Sequence, residues 1–340
     1  MSDNTSYCSG NATEHDHQFT VTSGLYIALG VIGNLAAIVV LVKQSKFHNW
    51  KVFYRLALSL VSVDLLGVLM FGSISVKENS TSKWDGGYNL CVAESIIIIF
   101  ISLTNLLTVA VISLERFLAL WHPYFYSSLK NHPIIKLIPV VILSMAVVMA
   151  ILPAISIGHF ERIYPCDFCF INIYDSELRN FIYALLYSIF GLICITIAIV
   201  FNVLVVTALS RGQRGYSRQR ESRIYISYDR RDYFGMMFQL LALIAELAVC
   251  WGSVMIKSII TMLSKENDED TQKDNYLFFR FAAWVLVLDP WIYVLLRREI
   301  ISSVCAFCTR QERPHLTSSE DKMEEKSLQN NQYKTSYGTI

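Results

Sequence analysis

Seven long apolar stretches constrain the fold of this chain more than any other feature of its sequence. They lie near 21–42, 53–76, 88–120, 134–157, 180–209, 235–263 and 276–296. Each can cross the roughly 30 Å hydrocarbon core of a bilayer, which takes about 20 helical residues. Because lipid excludes irregular backbone and open sheet edges, the sequence predicts an all-α membrane protein, a seven-transmembrane helix bundle.

The composition agrees with a chain in lipid rather than a soluble core. Charged residues make up 17% of the sequence, whereas about 25% is usual for a soluble domain. The formal net charge of +1 gives no bulk basic character, so nucleic acid is not an expected partner.

Basic residues predict which loops face the cytoplasm. Lys and Arg concentrate between the first and second spans, the third and fourth, and the fifth and sixth, where an Arg-rich loop covers 211–231. The positive-inside rule makes these loops cytoplasmic, so we expect a plasma-membrane protein with an extracellular N-terminus and a cytoplasmic C-terminus. The expected parts are an extracellular head (1–20), the transmembrane domain (21–298), a short amphipathic eighth helix on the membrane surface (299–310) and a disordered cytoplasmic tail (311–340).

Modification motifs sort by the same two sides. Acceptors for N-glycosylation fall on the predicted outside, at Asn4, Asn11 and Asn79. Disulfides persist outside the cell, and four cysteines lie there: Cys8, Cys91, Cys166 and Cys169. Two more, Cys305 and Cys308, lie in the amphipathic stretch, where palmitoylation would hold it to membrane lipid.

A few polar residues interrupt the spans. A charged group in hydrocarbon costs about 2.5–3.5 kcal/mol on insertion scales, so each of these residues needs a partner. They are Asn34, Asp64, Asn105, Arg116, Glu246 and Asp289.

Their pattern resembles the rhodopsin-like family of G-protein-coupled receptors, span by span. The motifs are Gly33-Asn34, Asp64, Cys91 twenty-five residues before Arg116, Glu115-Arg116-Phe117, Cys250-Trp251 and Asp289-Pro290-Trp-Ile-Tyr293. A retinal protein would need a lysine at the position of Ala283, and an amine receptor would carry an Asp at Ile98. The chain therefore matches neither of those groups.

The resemblance implies roles for these residues. Asp64, Asn105, Asp289 and Asn34 would form a polar core that holds sodium or water, or a hydrogen-bonded cluster that only fixes packing. Glu115 would pair with Arg116 and keep the cytoplasmic end closed, until Arg116 turns toward a G protein. Cys91 would be bridged to Cys169, and Cys166 to Cys8, although four outer cysteines allow three connectivities. The remaining residues of the activation switch and coupling surface would be Pro123, Tyr124, Trp251, Pro290 and Tyr293.

Glu246 lies one turn from Cys250, deep in the sixth span. One hypothesis is that it hydrogen-bonds to the polar core and tunes the inactive state. The other is that Glu246 is a neutral acid that only helps neighbouring helices to pack together.

Further motifs resemble prostanoid receptors. Arg280 stands nine residues before Asp289-Pro-Trp, and the second outer loop reads Tyr164-Pro-Cys-Asp-Phe-Cys-Phe-Ile171. The second inner loop, His122-Pro-Tyr-Phe-Tyr126, is similar to prostanoid receptors that raise cyclic AMP. Implied ligand-binding residues are Arg280, Asp167, Phe168, Ser75 and Asn79.

An Arg in the outer part of a span suits a lipid carboxylate, which it can bind with two parallel hydrogen bonds. The alternative is an internal salt bridge, for which Glu94, Asp167 and Lys257 provide charged neighbours. The family's loop Thr and Trp are replaced here by Asp167 and Phe168, and the Tyr of the second span by Asn79.

These features predict a receptor for a lipid mediator, coupled to a stimulatory heterotrimeric G protein, and not an enzyme. A receptor kinase and arrestin would act on the tail at Thr317, Ser318 and Ser319. The alternatives are an orphan receptor of the same fold, with another ligand or constitutive activity, and a small membrane transporter.

Overall fold

The computed structural model describes residues 17–47, 52–81, 87–129, 132–155, 157–164, 168–175, 177–216, 230–265 and 267–295. Residues 1–16 of the head, the predicted eighth helix and the tail lie outside these ranges, whereas 17–20 of the predicted head already belong to the first helix. So do several residues predicted above: Asn4, Cys8, Asn11, Cys166, Asp167, Cys305, Cys308, Thr317, Ser318 and Ser319. The side chains of Ser75, Asn79 and Tyr293 are also outside the description, although their backbone is helical.

Six of the predicted spans form helices that are long and apolar enough to cross a membrane within the described residues. The helices are α1 (His17–Phe47), α2 (Val52–Thr81), α3 (Gly87–Trp121), α5 (Ile138–Ile151), α6 (Leu178–Tyr216) and the pair α7 (Arg230–Leu247) and α8 (Ser253–Ser264). Short 3-10 turns, Pro133–Leu137 and Leu152–Ile155, extend α5 at both ends.

The seventh predicted stretch is divided. Helix α9 runs over Glu269–Ala283 and α10 over Val285–Leu295, with Trp284 as a turn between them. Helix α9 begins earlier than the apolar pattern indicates, because Asp268 caps it by accepting from the backbone N–H of Thr271.

Helix α3 lies at the centre of the bundle. It packs against α2, α5 and α6, and about two thirds of its apolar window is buried. Helix α5 is the opposite case, because it exposes apolar residues such as Val140, Val141 and Val148. Exposed aliphatic side chains of this kind face lipid in a membrane bundle.

Three local elements were not predicted from the sequence. A two-stranded antiparallel hairpin, β1 (Phe160–Ile163) and β2 (Phe168–Ile171), pairs Phe160 with Ile171 and Ile163 with Phe168. A short helix, α4 (Pro123–Leu129), follows α3, and a π-helical turn, Ala248–Gly252, joins α7 to α8. We call the end of the bundle with β1 and β2 the hairpin end, and the opposite end the Arg116 end.

Candidate functional site

At the hairpin end, a disulfide holds the hairpin to the central helix. Cys91 at the start of α3 is bonded to Cys169 of β2, which is the predicted pairing. A second bond reinforces it, because the backbone N–H of Cys169 donates to the Glu94 carboxylate at 3.0 Å. Glu94 was considered only as a partner of Arg280, and this bond to the hairpin was not predicted.

An aromatic wall lines the hairpin end, formed by Phe168 and Phe170 of β2 with Tyr276 and Phe279 of α9. The Phe170 and Phe279 rings meet edge to face at 4.7 Å, and Phe168 contacts both Tyr276 and Phe279. Behind them the hydroxyl groups of Ser102 and Tyr187 are 2.8 Å apart. The four rings join the hairpin to α9 through an apolar aromatic cluster.

Arg280 lies on α9 one turn from this wall. Its guanidinium carbon is 5.6 Å from the centroid of the Tyr276 ring, within the range of a cation–π contact. The Arg280 side chain is exposed and not buried between helices. Lys257 was considered above as a charged neighbour of Arg280. Its Nζ lies 3.4 Å from Oδ2 of Asp274, with which it forms a salt bridge.

A cavity of about 250 Å³ opens nearby, between the loop after β2 and the ends of α6 and α8. Tyr174 and Thr261 are among its lining residues. The amide of Asn275 on α9 donates to the Tyr174 hydroxyl at 2.8 Å and to that of Thr261 at 3.2 Å. This network joins the loop, α8 and α9 beside the aromatic wall.

In the middle of the bundle the structure brings together the predicted polar core. Asn105 of α3 donates to the Asp64 carboxylate of α2 at 2.9 Å. Asn34 of α1 donates to the backbone carbonyls of Gly30 and Leu286, which fixes α1 against α10. Asp289 is buried on α10 and lies within electrostatic range of Asp64.

Glu246 of α7 belongs to the same cluster. Its carboxyl faces that of Asp289 and is within electrostatic range of Asp64. Its oxygens are buried, and neither accepts or donates a hydrogen bond of ordinary geometry within the described residues. Three carboxyl groups this close in a hydrocarbon environment cannot all carry charge unless protons or a cation lie among them.

The π-helical turn begins two residues after Glu246 and contains the buried Trp251. A π-turn widens the helix and frees backbone carbonyls, and such turns are frequent at functional sites. The hydroxyl of Ser253 lies within hydrogen-bonding distance of the backbone carbonyls of Val249 and Cys250 in this turn. Ser253 stands two residues after Trp251, where the family that the sequence resembles carries a proline.

At the Arg116 end, Glu115 and Arg116 form a salt bridge with Nε and Oε2 3.3 Å apart. The guanidinium also stacks 4.0 Å above the centroid of the Phe53 ring on α2. Tyr126 of α4 donates its hydroxyl hydrogen to the other Glu115 oxygen. Pro123 and Tyr124 of the same helix are exposed.

Two contacts near Arg116 were not predicted from the sequence. Asn202 of α6 donates to the Ser113 hydroxyl of α3, and neither residue belongs to a short motif. Tyr126 stood within the quoted inner-loop motif, but its pairing with Glu115 depends on helix α4, which the pattern of apolar residues did not predict.

The chain is similar in sequence to known seven-transmembrane receptors. The profile of the family described as "7 transmembrane receptor (rhodopsin family)" matches residues 33–293. The human prostaglandin E2 receptor EP4 subtype is 28% identical, with 86% of this chain and 69% of that receptor aligned. The bovine EP4 subtype is 27% identical over 88% of this chain and 71% of its own length. The human thromboxane A2 receptor is 26% identical over 81% of this chain and 82% of its own length.

Proposed function

We propose, for a chain that belongs to the rhodopsin family of seven-transmembrane receptors, that its ligand is a prostanoid-like lipid mediator. The chain is a receptor related to the prostanoid receptors and not an enzyme, as predicted. Family membership also removes the transporter alternative. The similar proteins are receptors for prostaglandin E2 and thromboxane A2, which supports a ligand of that chemical class here.

The position of Arg280 beside the aromatic wall carries this proposal. A prostanoid has a carboxylate at one end of a flexible apolar body. A guanidinium can hold the carboxylate with charge-assisted hydrogen bonds. Tyr276 and Phe279 lie on the same helix as Arg280, and Phe168 packs against both, so the three rings offer apolar surface beside the cation. Asp167, Ser75 and Asn79 are the further proposed contacts.

A second candidate is a receptor of the same fold with a different ligand or with constitutive activity. Asp167 favours it, because a carboxylate in place of the family's Thr would repel an acidic ligand or pair with Arg280 itself. The two candidates differ in what Asp167→Thr should do: it improves binding of a carboxylate ligand and does little for a ligand without one.

The proposed orientation puts the hairpin end outside the cell and the Arg116 end in the cytoplasm of a plasma-membrane receptor. The Arg-rich segment 211–231 supports it through the positive-inside rule. Glycans at Asn4, Asn11 and Asn79 and a Cys8–Cys166 bridge would then lie outside. Palmitate on Cys305 and Cys308 of the amphipathic helix, and phosphorylation by a receptor kinase followed by arrestin binding, would lie inside.

The proposed transducer is a stimulatory heterotrimeric G protein. Ligand binding would bias the bundle toward a conformation in which Arg116 leaves Glu115 and turns to the G protein. The exposed Pro123 and Tyr124 of α4 would contribute to the docking surface. Trp251, Pro290 and Tyr293 would carry the rearrangement between the two ends.

Sodium at Asp64 is the proposed ion of the polar core. One carboxylate oxygen of Asp64, one of Asp289 and the amide oxygen of Asn105 are buried and accept no hydrogen bond from the described residues. Such oxygens are the ligands that hard cations prefer, so the residues present fit the ion. Bound sodium would neutralise part of the negative charge that Asp64, Asp289 and Glu246 concentrate there.

Competition binding of tritiated prostaglandin E2 to membranes that contain the full chain tests the proposed ligand. A hydrogen bond to a charged group contributes about 1.5–3 kcal/mol, so Arg280→Ala should weaken binding roughly 10- to 150-fold. Arg280→Lys should fall between, because an ammonium keeps the charge but loses the two-pronged geometry. Arg179→Ala, which removes an exposed cation on α6 at the same end, should bind like the parent chain. Unchanged binding in Arg280→Ala would contradict the proposed anchor.

A further inference from the structure

A separate group of ligating side chains lies at the hairpin end, on the side of α6. It consists of His159, just before β1, and of Asp175 and Glu177, just before α6. Nε2 of His159 is 2.8 Å from a carboxylate oxygen of Glu177. One ligand atom from each of the three residues lies within 4.8 Å of the others.

The backbone beneath these side chains is held in place by two asparagines. The His159 N–H donates to Oδ1 of Asn180 at 2.9 Å, and the Asn172 N–H donates to the His159 carbonyl at 3.1 Å. The Asn180 amide donates in turn to the Asn172 carbonyl. Asn180 is fully buried, so the loop before β1, the loop after β2 and the start of α6 share one support.

Asp175 is fixed in a way that leaves one oxygen for a ligand. Its Oδ1 accepts the backbone N–H of Glu177 at 2.9 Å, which sets the turn that enters α6. The Glu177 carboxylate is 48% exposed and the His159 ring 57% exposed. Both can therefore be reached by an ion from solvent.

A further carboxylate lies beside the group. Glu161 of β1 accepts a hydrogen bond from the Asn172 amide, and the Asn172 N–H donates to the His159 carbonyl. An added cation would relieve the repulsion among carboxylates held this close together.

We propose that His159, Asp175 and Glu177 form a binding site for a divalent transition metal, with Zn²⁺ as the ion that fits best. One imidazole and two carboxylates are common ligands of Zn²⁺, and water can fill the fourth tetrahedral position. Bonds of about 2.0–2.1 Å place neighbouring ligands roughly 3.3 Å apart. The His159–Glu177 contact must therefore open slightly and Asp175 must close in, which exposed side chains can do.

Such an ion would act on the proposed ligand site through the hairpin. His159 precedes β1, β1 pairs with β2, and Phe168 of β2 packs against Tyr276 and Phe279. A metal that links His159 to the start of α6 would restrict the movement of the hairpin, and with it the position of Phe168 in the aromatic wall. On the proposed orientation the site faces the extracellular fluid, so free Zn²⁺ there would modulate the receptor.

Thermal unfolding of the purified full-length receptor in nanodiscs, titrated with ZnCl₂, tests the metal site without any receptor ligand. We expect a saturable rise in Tm that EDTA reverses and that Mg²⁺ does not reproduce. His159→Asn and Glu177→Gln should each weaken the apparent Zn²⁺ affinity by at least about tenfold, since losing even a group that only hydrogen-bonds to a metal ligand costs about 10- to 100-fold. Asp270→Asn, which removes an exposed acid at the start of α9, should leave the titration unchanged.

A variant that should bind Zn²⁺ more tightly keeps the test conclusive even if the variants that lose a ligand misfold. Glu177→His gives two imidazoles and one carboxylate, a stronger Zn²⁺ set, and should move the titration to lower Zn²⁺ concentration. If Zn²⁺ leaves Tm unchanged, or shifts the parent chain and His159→Asn equally, the three residues are an ion pair with a helix cap and the proposal is overturned. Because no prostanoid is present, this outcome is independent of whether the proposed ligand is correct.

Discussion

Tyr126 donates its hydroxyl hydrogen bond to the same Glu115 carboxylate that pairs with Arg116. Burial raises the pKa of Tyr126 well above its ordinary value, and the charge of Glu115 raises it further. The phenol therefore stays a neutral donor across the physiological pH range. Helix α4 is in this way connected to the residue that holds Arg116 at the end of α3.

Tyr126→Phe should raise basal signalling. A hydrogen bond to a charged group contributes about 1.5–3 kcal/mol, and partial exposure lowers that figure. We expect basal GTPγS binding per surface receptor to rise about three- to tenfold, provided that the Arg116 end couples to a G protein. Tyr88→Phe is the matched control, because Tyr88 is 72% exposed and lies at the opposite end of α3 from Arg116. Equal basal activity in the two variants would show that Tyr126 does not hold the pair closed.

Glu246→Gln tests whether the third carboxyl of the polar core tunes the inactive state. The substitution keeps the shape and removes the ionisable group that faces Asp289. If Glu246 tunes the core, basal and agonist-driven nucleotide exchange should both change by at least about twofold. If it only packs between helices, neither should change, and the tuning hypothesis would be discarded.

Sodium should lower agonist affinity if an ion binds at Asp64. An ion among Asp64, Asn105 and Asp289 would stabilise the conformation in which these residues surround it. Replacing NaCl by choline chloride at constant ionic strength should therefore tighten agonist binding in the parent chain. In Asp64→Asn the same exchange should have no effect. A parent chain that binds agonist equally in both salts would speak against the ion and for a plain hydrogen-bonded cluster.

Removing the Cys91–Cys169 bond should destabilise the bundle. The two residues are 78 apart in sequence, and closing a loop of that size contributes about 4 kcal/mol in the chain-entropy account. The Cys91→Ala/Cys169→Ala double variant should lower the Tm of the detergent-solubilised receptor by several degrees. Cys194→Ala, which alters a buried free cysteine, should cost much less. A double variant as stable as the parent would mean that Glu94 and the aromatic wall hold the hairpin without the bridge.

The spans and the polar core could be predicted because lipid imposes strong rules on sequence. Twenty apolar residues must be helical, and a polar residue such as Asp64 or Asn105 in such a stretch must find a partner. The structure pairs those two residues directly. The predicted partner of Cys91 came from family resemblance, and the disulfide is the one found.

The features that were missed depend on tertiary contacts that leave no periodic signal. Strands β1 and β2 have four residues each, too short for alternation to be recognised, and they form because a disulfide and Glu94 hold β2 to α3. The π-turn is not marked by a proline, since Ser253 takes that place. The grouping of His159 with Asp175 and Glu177 requires the hairpin to fold back on α6, which no local pattern reveals.

Cyclic AMP in cells that express this chain tests the central proposal most directly. Cells are given prostaglandin E2 at increasing concentration, with Arg280→Ala and the Arg179→Ala control measured at matched surface expression. The account predicts a saturable rise that Arg280→Ala shifts to roughly 10- to 150-fold higher concentration and that Arg179→Ala leaves in place. No rise with any prostanoid, despite surface expression, would contradict it and would favour a receptor with another ligand, in which Asp167 or Glu94 neutralises Arg280.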